Sequence, residues 1–207
     1  MYSETTEILY PNYVAVIAFS TGNVFPIFKN GSTSLHQYSE ITSTKILFNE
    51  QIRKLEVIEV ILRDPLPRFI SGVTTYVYNM LKQNPKLDLN TILYFVENYL
   101  FLNRHYSPQL SWLINLNRFS KAKLRLHGME ALPRFTELNL SSPYEDFRLS
   151  DDDIDRLTKI KENEMYLRLD TELVKLIGEE LTFQEILDHL KKQDPIACQK
   201  LRCIALD

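Results

Sequence analysis

The stretch Phe25-Pro26-Ile27-Phe28-Lys29-Asn30-Gly31-Ser32-Thr33-Ser34-Leu35 decides how the rest of the chain is read. An apolar run with the character of a buried strand breaks at Lys29 into a loop with one glycine and three hydroxyls. Leu35 and the residues after it suit a helix. Strand, short loop and helix start together make a cradle for an anion. The first N–H groups of a helix lack intrahelical acceptors, and the helix dipole is positive there. Lys29 adds a full charge. The same layout also serves as an ordinary strand-to-helix turn, and its order differs from the triphosphate loop G-x-x-x-x-G-K-[ST], where the lysine follows the second glycine.

Working outward, Tyr13–Phe19 is rich in strand formers and stops at Ser20-Thr21-Gly22-Asn23, so a hairpin-like pair with Val24–Phe28 feeds the loop. Downstream, His36–Ile41 continues the helix, Lys45–Phe48 reads as a short strand and Glu50–Lys54 as a polar turn or helix. Val57–Leu62 is the best central strand, almost wholly apolar and bounded by Arg63-Asp64-Pro65. Asp64 suits an N-cap and Pro65 the first helical position. Phe69, Val73, Tyr76, Val77 and Met80 then give one apolar helix face ending near Asn84-Pro85. Leu89–Leu102 reads as another helix, Leu110–Leu116 and Lys123–Leu126 as short strands, and Pro133–Ser142 as loop.

From Ser150 the pattern turns wholly helical, with a cap cluster at Ser150-Asp151-Asp152-Asp153 and a capping box at Thr182-x-x-Glu185. Strands alternating with helices predict an α/β layered domain with a mainly parallel sheet. The expected boundary lies near 170, with an α/β domain over 1–169 and a helical extension over 170–207. The stripe Phe183, Ile186, Leu187, Leu190 on that tail either packs on the parent domain or offers a surface for self-association.

The chain has 207 residues, 44% hydrophobic and 25% charged, which is the composition of a globular protein with a real core. A net charge of −3 argues against a general nucleic-acid binder. No apolar run approaches the ~20 residues of a membrane span, and the acidic start Met1–Glu7 is unlike a signal peptide. A cytoplasmic protein without nucleic-acid or membrane partners is expected. Cys198 and Cys203 read as two reduced thiols with no metal ligand set around them.

A second anion element follows the central strand. Arg63 stands just past its carboxyl end, where open α/β sheets bind ligands, and Ser71 lies eight residues on. A guanidinium and a hydroxyl at that spacing can meet on one phosphate. The plainer alternative makes Asp64 a cap and Arg63 and Arg68 surface charges.

Lys29-Asn30-Gly31-Ser32-Thr33-Ser34 resembles the 5′-phosphosulfate loop of sulfotransferases, P-K-x-G-x-T, and Arg63 through Arg68, Ser71 and Gly72 resembles their 3′-phosphate motif, R-x-P-x-x-R-x-x-S. His105-Tyr106-Ser107-Pro108-Gln109 is similar to an H-x-x-P-Q segment of the carbohydrate-type members, and Leu149–Leu167 to the acidic helix that often closes them. The resemblance spans about residues 24 to 169 and implies a P-loop NTPase-like three-layer sandwich. It implies 3′-phosphoadenosine 5′-phosphosulfate (PAPS) as donor, 3′,5′-adenosine bisphosphate (PAP) as product, and a carbohydrate or small-molecule acceptor hydroxyl. It places Lys29 at the leaving oxygen, Gly31 to Ser34 around the 5′-phosphate, and Arg63 and Ser71 at the 3′-phosphate. No metal is required.

The family puts a catalytic His or Glu between the two motifs, and the interval Leu35–Leu62 is shorter than its pattern. It offers His36 first and Glu50 second as base, with Glu40, Glu56 and Glu59 behind them; His105 is a separate candidate. Trp112 reads as core. A nucleotide-dependent kinase-like enzyme and a non-catalytic nucleotide-binding or scaffold protein on the same fold are the alternatives.

Overall fold

A continuous apolar run, a two-residue turn and a second short run fold the segment upstream of the cradle into an antiparallel hairpin of β1 (Ala15–Phe19) and β2 (Gly22–Phe25), with Ile17 opposite Val24. The computed structural model describes residues 14–98, 103–138 and 147–199, side chains at 161 and 162 excepted. Met1–Glu7, Tyr13, residues 99–102 of the second expected helix, 139–142 of the expected loop, 200–207 of the tail and Cys203 lie outside the described residues.

Strands β3 (Ile46–Phe48), β4 (Val57–Ile61), β5 (Lys123–His127) and β6 (Glu180–Leu181) complete an open six-stranded sheet in the order β3-β1-β2-β4-β5-β6. Among the described residues, only β2–β4 and β4–β5 pair in parallel; β3–β1, β1–β2 and β5–β6 are antiparallel. The expected mainly parallel sheet is therefore mixed: a two-residue turn joins β1 to β2, and the short edge strands β3 and β6 return antiparallel after their helices.

Helices α1 (Ser32–Ile41), α2 (Glu50–Arg53), α3 (Pro65–Gln83) and α4 (Leu89–Asn98) start where caps and apolar spacing put them. Asp64 holds the N-cap position of α3, though its carboxylate makes no capping bond. The expected strand Leu110–Leu116 is instead the middle of α5 (Gln109–Phe119). Every residue from Gln109 to Leu116 is buried, so no polar face marked the helical period, and a short apolar run does not distinguish the two. A 3-10 turn spans Met129–Arg134. Helices α6 (Asp151–Thr158), α7 (Lys161–Val174) and α8 (Phe183–Gln193) follow, with Ser150 capping α6 and the Thr182–Glu185 box capping α8. The stretch after Ser150 is not wholly helical, because Glu180–Leu181 joins the sheet. Position 170 lies within α7, and Phe183, Ile186, Leu187 and Leu190 are all buried in the main core, so that face is filled from within.

The sheet separates two cores. Ile17, Val24, Leu35, Ile61 and Phe135 pack on one face, and Phe25, Ile58, Val60, Phe69, Val73 and Trp112 belong to the larger core on the other. Glu59, 4% exposed within the apolar β4, is held by cross-strand partners: Arg125 Nη1 at 2.9 Å and His127 Nε2 at 2.5 Å. This ties it to the sheet rather than to the cradle.

Helix α3 packs against the segment before α5 through Gly72. A Cβ there would stand 2.1 Å from the His105 carbonyl oxygen and 3.0 Å from Tyr106 Cα. Both are backbone atoms, so the helix itself must shift. Gly72→Ala is expected to cost about 3 kcal/mol, lowering Tm by roughly 6–12 °C in a thermal melt. An unchanged Tm would show that this approach is not tight.

Candidate anion site

Strands β2 and β4 are parallel neighbours, yet the chain leaves them toward opposite faces. After β2 it enters α1, whose Leu35 packs in the smaller core; after β4 it enters α3, whose Phe69 and Val73 pack in the larger one. Divergence at adjacent carboxyl ends opens a crevice, the usual ligand position in such sheets. Both sequence motifs, Lys29–Ser34 and Arg63–Ser71, stand at this crevice.

The first loop bends through positive φ at Lys29 (69°) and Gly31 (79°). Gly31 also admits close packing, since a Cβ there would meet Leu132 Cδ2 at 2.7 Å. The first helical bond of α1 runs from Leu35 N–H to the Gly31 carbonyl at 3.0 Å. The N–H groups of Ser32, Thr33 and Ser34 precede it and form the donor end of the helix. Thr33 is exposed, while the side chains of Ser32 and Ser34 are buried.

Asn30 is 1% exposed and turns inward, its Nδ2 donating to the Ile61 carbonyl (2.8 Å) and to Gln109 Oε1 (2.6 Å). It fixes the loop to β4 and α5. Lys29 Nζ donates to Thr75 Oγ1 at 2.8 Å, leaning across to α3, and Thr75 Oγ1 donates to the Ser71 carbonyl at 2.8 Å. Arg63 Nη1 donates to the Lys29 carbonyl at 3.1 Å, which joins the two motifs directly. Ser71 is half-buried, eight residues along the same element.

Arg68 is no surface charge. It is 1% exposed, with Nε on the Phe28 carbonyl (3.2 Å) and Nη1 on the Ser107 carbonyl (2.7 Å). The Arg104 guanidinium covers the Phe28 ring at 4.6 Å, Phe28 stacks on buried Trp112 at 5.4 Å, and His105 meets Phe28 edge-on at 5.6 Å.

These cations repel one another. Burial, then Arg63 and Arg68, lower the Lys29 amine to about 8. Burial, then Lys29, Arg104 and Arg68, hold the His105 imidazole down to about 4. Among the described residues, none of Lys29, Arg63, Arg68 and Arg104 has a carboxylate within 4 Å. The crevice carries a net positive field, offset at Arg68 alone by the buried Asp170 carboxylate. Such fields favour an anionic ligand.

The fold brings His105 to this cluster, whose cations act on it but are not among the charges acting on His36. His36 is half-buried on α1, lowered by burial and partly restored by Glu40 one turn away. Glu50 is exposed at the start of α2, 2.6 Å from Arg53, and β1 stands between its strand β3 and β2. Three residues lacked a sequence signal for their part here, Thr75, Arg104 and Asp170, and Gln109 carried one without the role it has. Gln109 closes the H-x-x-P-Q segment, Arg104 borders it, and Thr75 lies one turn beyond Ser71. Asp170 had no signal, being 61 residues from its partner Gln109.

Beside the cluster, a cavity of about 410 Å³ opens between α3 and residues 103–105. Tyr76, Asn79, Gln83, Asn103, Arg104 and His105 are on its wall. Comparison with protein-family models, with curated proteins and with solved structures finds no match to this chain.

Proposed function

We propose that this chain is a sulfotransferase moving the sulfuryl group of 3′-phosphoadenosine 5′-phosphosulfate to an acceptor hydroxyl, on a fold similar to the P-loop-like sandwich of that family. The observation that carries this reading is the pair of cationic motifs at the carboxyl ends of β2 and β4, linked by the Arg63–Lys29 hydrogen bond. Two separated anion sites fit a nucleotide with phosphate at both its 3′ and 5′ ends. The mutual repulsion of Lys29, Arg63, Arg68 and Arg104 fits a polyanion that relieves it.

On this reading the α1 N–H groups and Lys29 hold the 5′ side, and Arg63 and Ser71 hold the 3′-phosphate. The donor supplies an activated sulfuryl group. Sulfuryl transfer leaves negative charge on the departing phosphate, and fixed donors aimed there bind more strongly in the transition state than before it. Lys29 reaches that position by releasing Thr75. His105 is neutral at pH 7, so it can accept the hydroxyl proton, and an anion among the surrounding cations raises its basicity from about 4. The adjacent cavity, with the amides of Asn79, Gln83 and Asn103, suits a small polyhydroxyl acceptor, including a carbohydrate.

Titration calorimetry with 3′,5′-adenosine bisphosphate in metal-free buffer tests the reading. Saturable binding is expected, weakened on the order of 10–100-fold by Arg63→Ala, which removes a charge-assisted contact. No binding at millimolar bisphosphate overturns it.

A further inference from the structure

We propose that Asp170 is a positioning residue for the anion site: from α7 it fixes the start of α5, and through Gln109 it sets the spacing between the Lys29–Ser34 loop and Arg63. The inference rests on the donor reading for its function and on hydrogen bonds for its geometry. Asp170 is 2% exposed, and its two carboxylate oxygens accept the N–H groups of Gln109 (2.7 Å) and Leu110 (2.9 Å). These are first-turn donors of α5, and Pro108 at the N-cap supplies no side-chain acceptor. A capping serine at 108 would accept from one N–H at 110 or 111 and leave that of Gln109 unmet. A carboxylate brought from another helix does more, because it ties the position of α5 to that of α7.

The side chain of Gln109 carries the constraint onward. Fully buried, it accepts at Oε1 from Arg63 N–H (2.9 Å) and Asn30 Nδ2 (2.6 Å), and its Nε2 donates to the Arg63 carbonyl (2.8 Å). One carboxamide therefore braces both anion motifs, and Asn30 is further tied to β4 at Ile61. Moving the first turn of α5 moves both loops.

The charged and titratable groups around Asp170 are Arg68 from α3, Tyr106 from the segment before α5 and Tyr166 on α7 itself. Burial pushes its carboxyl up to about 6, against the opposing pull of Arg68 and the two amides. Protonation would set an O–H donor against an N–H donor and weaken the brace. The site should slacken as pH falls through about 6.

The test measures 3′,5′-adenosine bisphosphate affinity of the full chain from pH 5 to 8, for wild type, Asp170→Asn and Gln109→Met. The ligand's own phosphate ionisation is common to all three, so differences between them isolate the brace. Asp170→Asn is expected to bind about tenfold more weakly at pH 7.5 and to lose the part of the pH profile centred near 6. A profile identical to wild type overturns the proposal. If Asp170→Asn does not fold, Gln109→Met, which keeps the α5 cap, must show the weakening; wild-type affinity there overturns it equally. Amide exchange at Arg63 reads the brace without ligand and should speed up in both variants while β4 stays protected. Faster exchange in a protein whose wild type binds no bisphosphate sinks the donor reading and retains the brace. Unchanged exchange sinks the brace whatever binds.

Discussion

Arg68→Met is expected to destabilise the protein by about 3–5 kcal/mol at pH 7.5, a fall of roughly 10 °C in Tm. Methionine fills much of the volume but removes the donors to the Phe28 and Ser107 carbonyls. It also removes the positive charge that acts on buried Asp170. Burial lowers the guanidinium to about 10, so in the wild type it stays charged at neutral pH. Without it, the Asp170 carboxyl should rise above its present value of about 6. The sign of the pH effect follows. An acid whose folded pKa exceeds its unfolded value near 3.8 stabilises the fold when protonated, and that contribution is lost as pH rises through the folded pKa. The deficit of Arg68→Met should therefore be largest above pH 7 and shrink toward pH 5. Adding Asp170→Asn should recover part of it at pH 7.5. Urea unfolding at both pH values measures these differences; a deficit that ignores pH would mean the carboxylate is not the group left uncompensated.

What the sequence made legible was local. The end of β4, the Asp64-Pro65 start of α3 and the Thr182–Glu185 box follow from caps and spacing within a few residues, and all stand where those signals put them. The strand–loop–helix layout at Lys29–Ser34 was legible for the same reason, since Lys29, Gly31 and the α1 start are contiguous. Helix α5 was not, because burial all round erased its period. The sheet's mixed character depends on which edges pair, and β6 is two residues long, too short to carry any pattern. In the site, sequence nearness favoured His36, four residues past Ser32 at the start of α1. Tertiary packing instead sets His105 among the cations, because Gly72 lets its backbone approach α3. The Asp170–Gln109–Asn30 connection spans α7, α5 and the loop, and no local rule links residues that far apart.

The other large effect should appear in activity rather than stability. Lys29→Met is expected to lower PAP formation from the donor by two to three orders of magnitude, the usual cost of losing one fixed group that stabilises charge at the leaving atom. Its Tm should not fall. Lys29 sits partly buried among like charges, and its lowered pKa records that the folded state disfavours its charge. Removing it relieves Arg63 and Arg68, losing only the hydrogen bond to Thr75. Function held at the expense of stability is the pattern expected of an active group. The pH dependence has a definite direction. In the free protein the amine loses its proton as pH rises through about 8, so wild-type affinity for the bisphosphate should decline between pH 8 and 9.5. Lys29→Met should show no such decline, and its affinity at pH 7 should fall far less than its turnover. Chromatographic measurement of PAP released in a mixed monosaccharide pool, beside calorimetry across that pH range, gives both numbers. Equal losses in binding and turnover would make Lys29 a ground-state anchor. Retained turnover would remove it from the chemistry and leave the cradle as a binding site alone.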